Sequence, residues 1–213
     1  IQNISFHKDG EVLLYKKIEE ALEVTSRHFT HFCTNGVLLN KFADKLIGKV
    51  DLITYSVWEE ERNSNVFDTG ETSFFKFLEK LKNSDLYPKK TRVNIKAFDK
   101  KNYDKWNELH DDVFLREVDN WAGQYNNGKT YFFENPFCES IYDQLSVNFD
   151  GTVSSCCLDY KHESLIGNAN EESIYEIWHG EKMNHLRFLI DNNQLDKTSI
   201  CEGCSDLTEK NEI

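Results

Sequence analysis

Short runs of β-branched and aromatic residues recur along the first half of the chain, at 3–6 (NISF), 29–33 (FTHFC), 52–55 (LITY), 92–97 (RVNIKA) and 113–118 (VFLREV). Their spacing leaves room for helices between them, which predicts five strands in a strand–helix alternation. Between the first two, Leu14, Ile18 and Leu22 fall on one face while Lys16, Lys17, Glu19, Glu20 and Glu23 fill the rest, the pattern of an amphipathic helix. Further helices are expected over 38–47 and 73–81. Such an alternation implies right-handed crossovers and a parallel sheet with helices outside it, through about residue 120. Ligands of these sheets gather at the strand C-terminal ends, so 7–11, 34–36 and 56–58 are the candidate site segments. The run Glu59 to Glu61, with Arg62 after it, follows the third of these segments and reads as a solvated loop.

The texture changes after Trp121, where Gly123, Asn126, Asn127 and Gly128 form a linker closed by Pro136. The expected division is 1–123 and 124–213. In the second part, 145–149 and 152–155 flank Asp150-Gly151, a signal for a tight hairpin with positive φ at both turn positions. Residues 173–190 predict one helix with Ile174, Ile177, Leu186 and Leu189 buried. His179 and His185 are expected on its surface, since their separation does not suit a helical metal pair. The four tryptophans, Trp58, Trp106, Trp121 and Trp178, are read as packing residues.

Among 213 residues, 25 Lys and Arg stand against 37 Asp and Glu, a formal charge of −12. That balance opposes binding to phosphate backbones or anionic lipid. No apolar run approaches the roughly 18–20 residues of a membrane span, and the first residues lack the pattern of a signal peptide. A cytoplasmic protein acting on neither nucleic acid nor membrane is expected. The chain opens on Ile1 in what reads as a strand, so further sequence is expected upstream. There is no phosphate-binding loop, GxSxG elbow or paired-carboxylate motif, and no catalytic residue is assigned.

Six cysteines are too few for a disulfide scaffold of this length, and Cys138, Cys156, Cys201 and Cys204 cluster in the last part, the last two as CxxC. A CxxC loop places two thiolates on one metal centre, and a hairpin ending in a cysteine presents a third. Four thiolates suit tetrahedral zinc or a four-iron four-sulfur cluster, and spacing alone does not separate the two. Cys157, next to Cys156 on an expected strand, should point to the opposite face as a spare thiol. Cys33, also in a strand, is read as a small buried hydrophobe.

Cys138, Gly151, Cys156 and Cys201-xx-Cys204, with VNFDGTVSSCC, the Gly167-Asn168 turn and SIYEIW between them, resemble the SPASM and twitch auxiliary-cluster modules of radical S-adenosylmethionine (SAM) enzymes. A full SPASM module has further cysteines for a second cluster, so the resemblance implies one twitch-like 4Fe-4S cluster with four protein ligands. Such a cluster has no open iron, which suits electron transfer rather than substrate activation.

The upstream segments resemble the same family. His7-Lys-Asp-Gly-Glu-Val resembles its GGEP-type loop, with Asp9 for the first Gly and Val12 for the Pro; Thr34-Asn35-Gly36 resembles its TNG turn; Ser56 ends a strand like its SAM-contacting Ser; and Asn120-Trp-Ala-Gly123 resembles its NWGG-like exit. The resemblance implies SAM contacts at Gly10, Glu11, Thr34, Asn35 and Ser56. It also implies an α/β fold: a partial (β/α) barrel made of the family's strands 2–6, all parallel, then a small α+β cluster-binding domain with a β-hairpin. The family's CxxxCxxC loop, which binds a second, catalytic 4Fe-4S cluster, is absent from these residues. The residues alone are therefore expected to be inactive. The implied enzyme is an oxidoreductase acting on a small molecule, sugar or peptide, fed by a donor such as flavodoxin or ferredoxin. Two alternatives stay open: a nonenzymatic zinc-stabilised binding module, and a degenerate homologue that only binds its substrate.

Overall fold

The computed structural model describes residues 1–58, 64–85 and 91–210. The chain divides into two compact units, Ile1–Glu117 and Val118–Ile213. The segment Asn120–Gly123 thus falls within the second.

In the first unit, β1 (Asn3–Ser5), β2 (Phe29–Thr34), β3 (Leu52–Val57), β4 (Arg92–Ala97) and β5 (Val113–Leu115) form one sheet in chain order, every pair parallel. The crossovers carry α1 (Ile18–Val24), α2 (Leu39–Leu46), α3 (Ser64–Lys82) and α4 (Lys100–Asn107). Strand periodicity sorts the side chains. Phe32, Ile53, Tyr55, Val57 and Ile95 are buried with Leu22, Leu39, Ala43, Leu46, Phe74, Phe77 and Trp106 from the helices. The alternate positions, His31 and Cys33 on β2, Thr54 and Ser56 on β3, and Asn94 and Lys96 on β4, share the other face and are polar or ligating. A parallel sheet packed by helices on one face with a polar second face is the wall of a barrel rather than a doubly covered sheet.

Several expectations need correction. Leu14 is 71% exposed, whereas Leu13 is buried. The chain forms a short 3-10 turn at Val12–Leu14 before α1 begins, and this breaks the expected helical register. Helix α3 starts at Ser64 rather than 73, because Gly70 does not interrupt it. A Cβ at Gly70 would collide with the Asn35 carbonyl, so the residue is small in order to let the helix approach the 34–36 turn. Strand β5 ends at Leu115, short of the expected 118.

In the second unit, β6 (Pro136–Phe137) leads into α5 (Ser140–Asp143), and β7 (Ser146–Val147), β8 (Thr152–Ser154) and β9 (Leu165–Asn168) form an antiparallel sheet. The expected hairpin exists, but its turn differs. Gly151 has φ +88 and Asp150 is not among the positive-φ residues. Gly151 N–H donates to Asn148 O at 3.0 Å and Asn148 N–H to Thr152 O at 2.8 Å, a three-residue loop closed by a glycine bulge. The expected 173–190 helix is two, α6 (Ile174–His179) and α7 (Glu181–Asp191), broken where Gly180 turns extended. Ser173 and Glu176 form a reciprocal capping box that fixes the start of α6. Of the expected buried face, Ile177 and Leu189 are buried and Ile174 and Leu186 half-buried, while Met183 and Ile190 fill the centre of the core. His179 and His185 are exposed, as expected. Strand β10 (Thr208–Glu209) pairs antiparallel with β6. Among the described residues, no helix is long and apolar enough to cross a membrane.

Candidate functional site

Three distant stretches of the second unit bring thiols together. Pairing of β6 with β10 matches Phe137 to Thr208, which sets Cys138 beside the segment that follows Cys204. The CxxC loop turns tightly, with Cys204 N–H donating to Cys201 O at 3.2 Å and Gly203 at φ +69. Cys201 and Cys204 are buried and Cys138, Cys156 and Cys157 half-buried around one apolar cluster with Ile141, Leu158, Met183 and Ile200. Burial pushes Cys201 up to about 11 and Cys204 up to about 12; the charge on Cys138 adds to both, and Cys201 adds further to Cys204. Burial raises Cys138 as well.

A repeated local geometry offsets that burial. The backbone N–H two residues on donates to sulfur at three sites: Ser140 to Cys138, Leu158 to Cys156 at 3.3 Å, and Asp206 to Cys204 at 3.4 Å. Such donors stabilise a thiolate, and they tune a metal centre once it is bound. The Ser155 hydroxyl, next to Cys156 in sequence, is buried and has no hydrogen-bond partner among the described residues.

Asn120 braces the CxxC loop. Its Nδ2 donates to Gly203 O at 2.6 Å, and its Oδ1 accepts from Ser205 N–H at 2.9 Å and Gly123 N–H at 3.1 Å. Gly123 lies at φ +83 with the Glu202 carbonyl where a Cβ would be, so only glycine fits against this loop. Asp159, fully buried, holds the chain after Cys157: its carboxylate accepts from Glu163 N–H, Ser164 N–H, Ser164 Oγ and Gln124 Nε2 at 2.7–3.0 Å.

Cys157 corrects the sequence reading. Strand β8 ends at Ser154, so Cys156 and Cys157 lie in a turn and do not alternate across a sheet. Their thiols hydrogen-bond, and that bond, with burial second, raises Cys156. Cys157 is therefore a neighbour of the thiol cluster.

In the first unit, four of the five expected SAM contacts come together. Glu11 Oε1 accepts from Thr34 Oγ1 at 2.8 Å and Leu13 N–H at 3.1 Å, and Oε2 accepts from Asn35 N–H at 2.9 Å. Glu11 thus ties its own loop, beside Gly10 at φ +87, to the turn after β2. Thr34 Oγ1 accepts from Gly36 N–H and Asn35 Oδ1 from Val37 N–H, both at 3.1 Å, which closes that turn. Ser56 stands apart from this network, near the end of β3 on the polar face, opposite Lys96. Trp58 stacks on Phe98 at 3.8 Å, and Trp106 is fully buried, as a packing residue should be. The acidic run Glu59 to Glu61, with Arg62, lies outside the described residues.

Cys33 also departs from its reading as a small buried hydrophobe. It sits on the polar face, its Sγ 3.5 Å from His7 Nε2 and 3.7 Å from Lys96 Nζ. Sequence reasoning missed this group because its members lie on separate strands and share no motif. The alternation of His31 and Cys33 along β2 was the available signal.

The first unit is an α/β unit built on five parallel strands, and the second is a small domain in which four thiols gather. Residues 138–205 match the SPASM family, described as an iron-sulfur cluster-binding domain. Among individual proteins, the S-adenosyl-L-methionine-dependent 2-deoxy-scyllo-inosamine dehydrogenase of Niallia circulans is 27% identical over 62 residues, 29% of this chain. The match spans a quarter of that protein's length. The crystal structure of BtrN in complex with AdoMet and 2-DOIA superposes with a TM-score of 0.64 at 20% identity, over 95% of this chain and 72% of that one. An open conformation of BtrN gives a TM-score of 0.51, at the same identity, over 95% of this chain and 71% of that one.

The donor set of the tail suits an iron–sulfur cluster: four buried or half-buried thiols gather in one apolar cluster, and three of them accept a backbone N–H from two residues on.

Proposed function

We propose that this chain forms the body and the auxiliary-cluster domain of a radical SAM oxidoreductase that removes hydrogen from a small hydroxylated molecule. Cys138, Cys156, Cys201 and Cys204 hold one 4Fe-4S cluster. The observation that carries this reading is the meeting of four thiols from three stretches of chain, three of them receiving a backbone N–H from two residues on. When bound, SAM and its catalytic cluster supply a hydrogen-abstracting radical, and the tail cluster supplies a one-electron acceptor. Glu11, with one acceptor site left on Oε2 after its three bonds, receives the ammonium of SAM, and Gly10 lets that group approach the backbone. Thr34, Asn35 and Ser56 line the same strand ends. The polar sheet face presents Asn94 and Lys96 to substrate hydroxyls. A sugar or cyclitol alcohol fits such a face better than an extended peptide, and the name of the Niallia circulans relative agrees with that choice. No CxxxCxxC occurs in these 213 residues, so turnover also needs that triplet, with flavodoxin or ferredoxin as electron donor.

The test is anaerobic reconstitution followed by iron and sulfide analysis. About four of each per chain are expected, with a brown colour, and Cys201→Ser should lose most of both. A colourless protein holding one zinc through the same thiols would overturn the reading.

A further inference from the structure

On the polar sheet face of the first unit, three side chains with metal-binding chemistry converge far from the tail cysteines in sequence. His7 follows β1, and His31 and Cys33 alternate along β2; one ligand atom from each lies within 4.8 Å of the other two. The His7 Nε2 to Cys33 Sγ separation is 3.5 Å. On a tetrahedral zinc with bonds of about 2.0–2.3 Å, a nitrogen and a sulfur stand roughly 3.5 Å apart. One edge of such a site is therefore already formed, and the other two, within 4.8 Å, close with a small side-chain adjustment.

The surroundings suit the group. His31 Nε2 lies 2.8 Å from Thr54 Oγ1, whose proton goes to Asn94 Oδ1 at 2.6 Å. Thr54 must then accept from His31 Nε2–H, which leaves the lone pair on Nδ1. An outer chain of this kind orients and polarises a metal-bound histidine. The other ring nitrogen of His7, Nδ1, is buried without a partner among the described residues. The two rings meet edge to face, with centroids 4.9 Å apart. Burial is the main cause that lowers both imidazoles to about 4; Lys96 lowers both further, and His31 also acts on His7. Both rings are thus neutral at physiological pH, the form that ligates. Lys96 opposes a cation, and its long stem lets it swing away from the site.

We infer that His7, His31 and Cys33 form a binding site for a divalent transition ion of the zinc class, with the fourth tetrahedral position open to water or a ligand oxygen. This inference does not rest on the tail thiols holding a cluster. The test is a difference between variants of the full chain, so it holds whatever the tail binds. Each protein is equilibrated anaerobically with excess Zn2+, desalted and assayed for zinc per chain. The wild type should retain one equivalent more than Cys33→Ala and His7→Ala. Lys96→Met should bind that equivalent about tenfold or more tightly in competition with a chromophoric chelator. Equal zinc in wild type and Cys33→Ala, or weaker binding by Lys96→Met, would overturn the inference. Should the alanine variants fail to fold, zinc X-ray absorption of the wild type decides. A component with mixed nitrogen and sulfur ligands upholds the site, and sulfur-only coordination rejects it.

Discussion

Replacing Asp159 with asparagine keeps the shape of the side chain and isolates what its charge does. The carboxylate is fully buried and each oxygen has two donors: Oδ2 takes Ser164 N–H and Ser164 Oγ, and Oδ1 takes Gln124 Nε2 and Glu163 N–H. An amide offers one oxygen, so whichever way it flips, two donors face an NH2 group that cannot accept. Losing two charge-assisted hydrogen bonds at about 1.5–3 kcal/mol each gives a cost of about 3–6 kcal/mol. Gln124 keeps its second acceptor, Glu163 Oε2, which favours the flip that spares Ser164 and places the cost toward the lower figure. The pH dependence should change too. Burial pushes the Asp159 carboxyl up, but the Ser164, Glu163 and Gln124 donors outweigh it and hold the group below its ordinary value. A depressed folded value means that the stabilisation is complete above the unfolded pKa of about 3.9 and is lost as pH falls through the folded one. Asparagine cannot titrate, so this acid-labile part should vanish in the variant. Urea unfolding at neutral and acid pH, with amide exchange over residues 156–166, measures both effects. A variant within about 0.5 kcal/mol of wild type at neutral pH, or one with an unchanged acid limb, would refute the reasoning.

Two further outcomes are expected. Gly36 lies at φ +82 with Tyr55 Cε2 at 2.6 Å from the place of a Cβ, so Gly36→Ala should lower stability in thermal melts by about 2–4 kcal/mol, and an unchanged melting temperature would contradict the packing. Cys157→Ala should retain the iron of the reconstituted protein, since four other thiols suffice, and should lower the pKa of Cys156 in thiol-alkylation rates by removing the hydrogen bond that raises it; iron loss comparable to that of Cys201→Ser would make Cys157 a ligand.

The sheet was legible because β-branched and aromatic residues gather in short runs around Phe32, Ile53 and Ile95, spaced for helices between them, a signal that survives without tertiary context. The helix breaks were less so. Gly180 reads as a tolerable interior glycine, yet its extended backbone starts a second helix, and Leu13 displaces Leu14 from the core because the loop closes a 3-10 turn first. The four tail cysteines were visible from their spacing and from the hairpin between them. Cys157 was misplaced because the strand stops at Ser154, two residues before the first thiol. The braces at Asn120 and Asp159, and the His7, His31 and Cys33 group, depend on residues brought together across long separations, which no local pattern announces.

The pairing of Pro136–Phe137 with Thr208–Glu209 has a consequence for biogenesis. The thiol ring takes its first member from just after one of these strands and its last from just before the other, so the ring stays open until the ribosome has released residues through 209. As the proposed ligands of one centre, these sulfurs would take up metal after synthesis of residues 136–209. A nascent chain stalled before that point would expose up to four unpaired thiols to adventitious metal and oxidants.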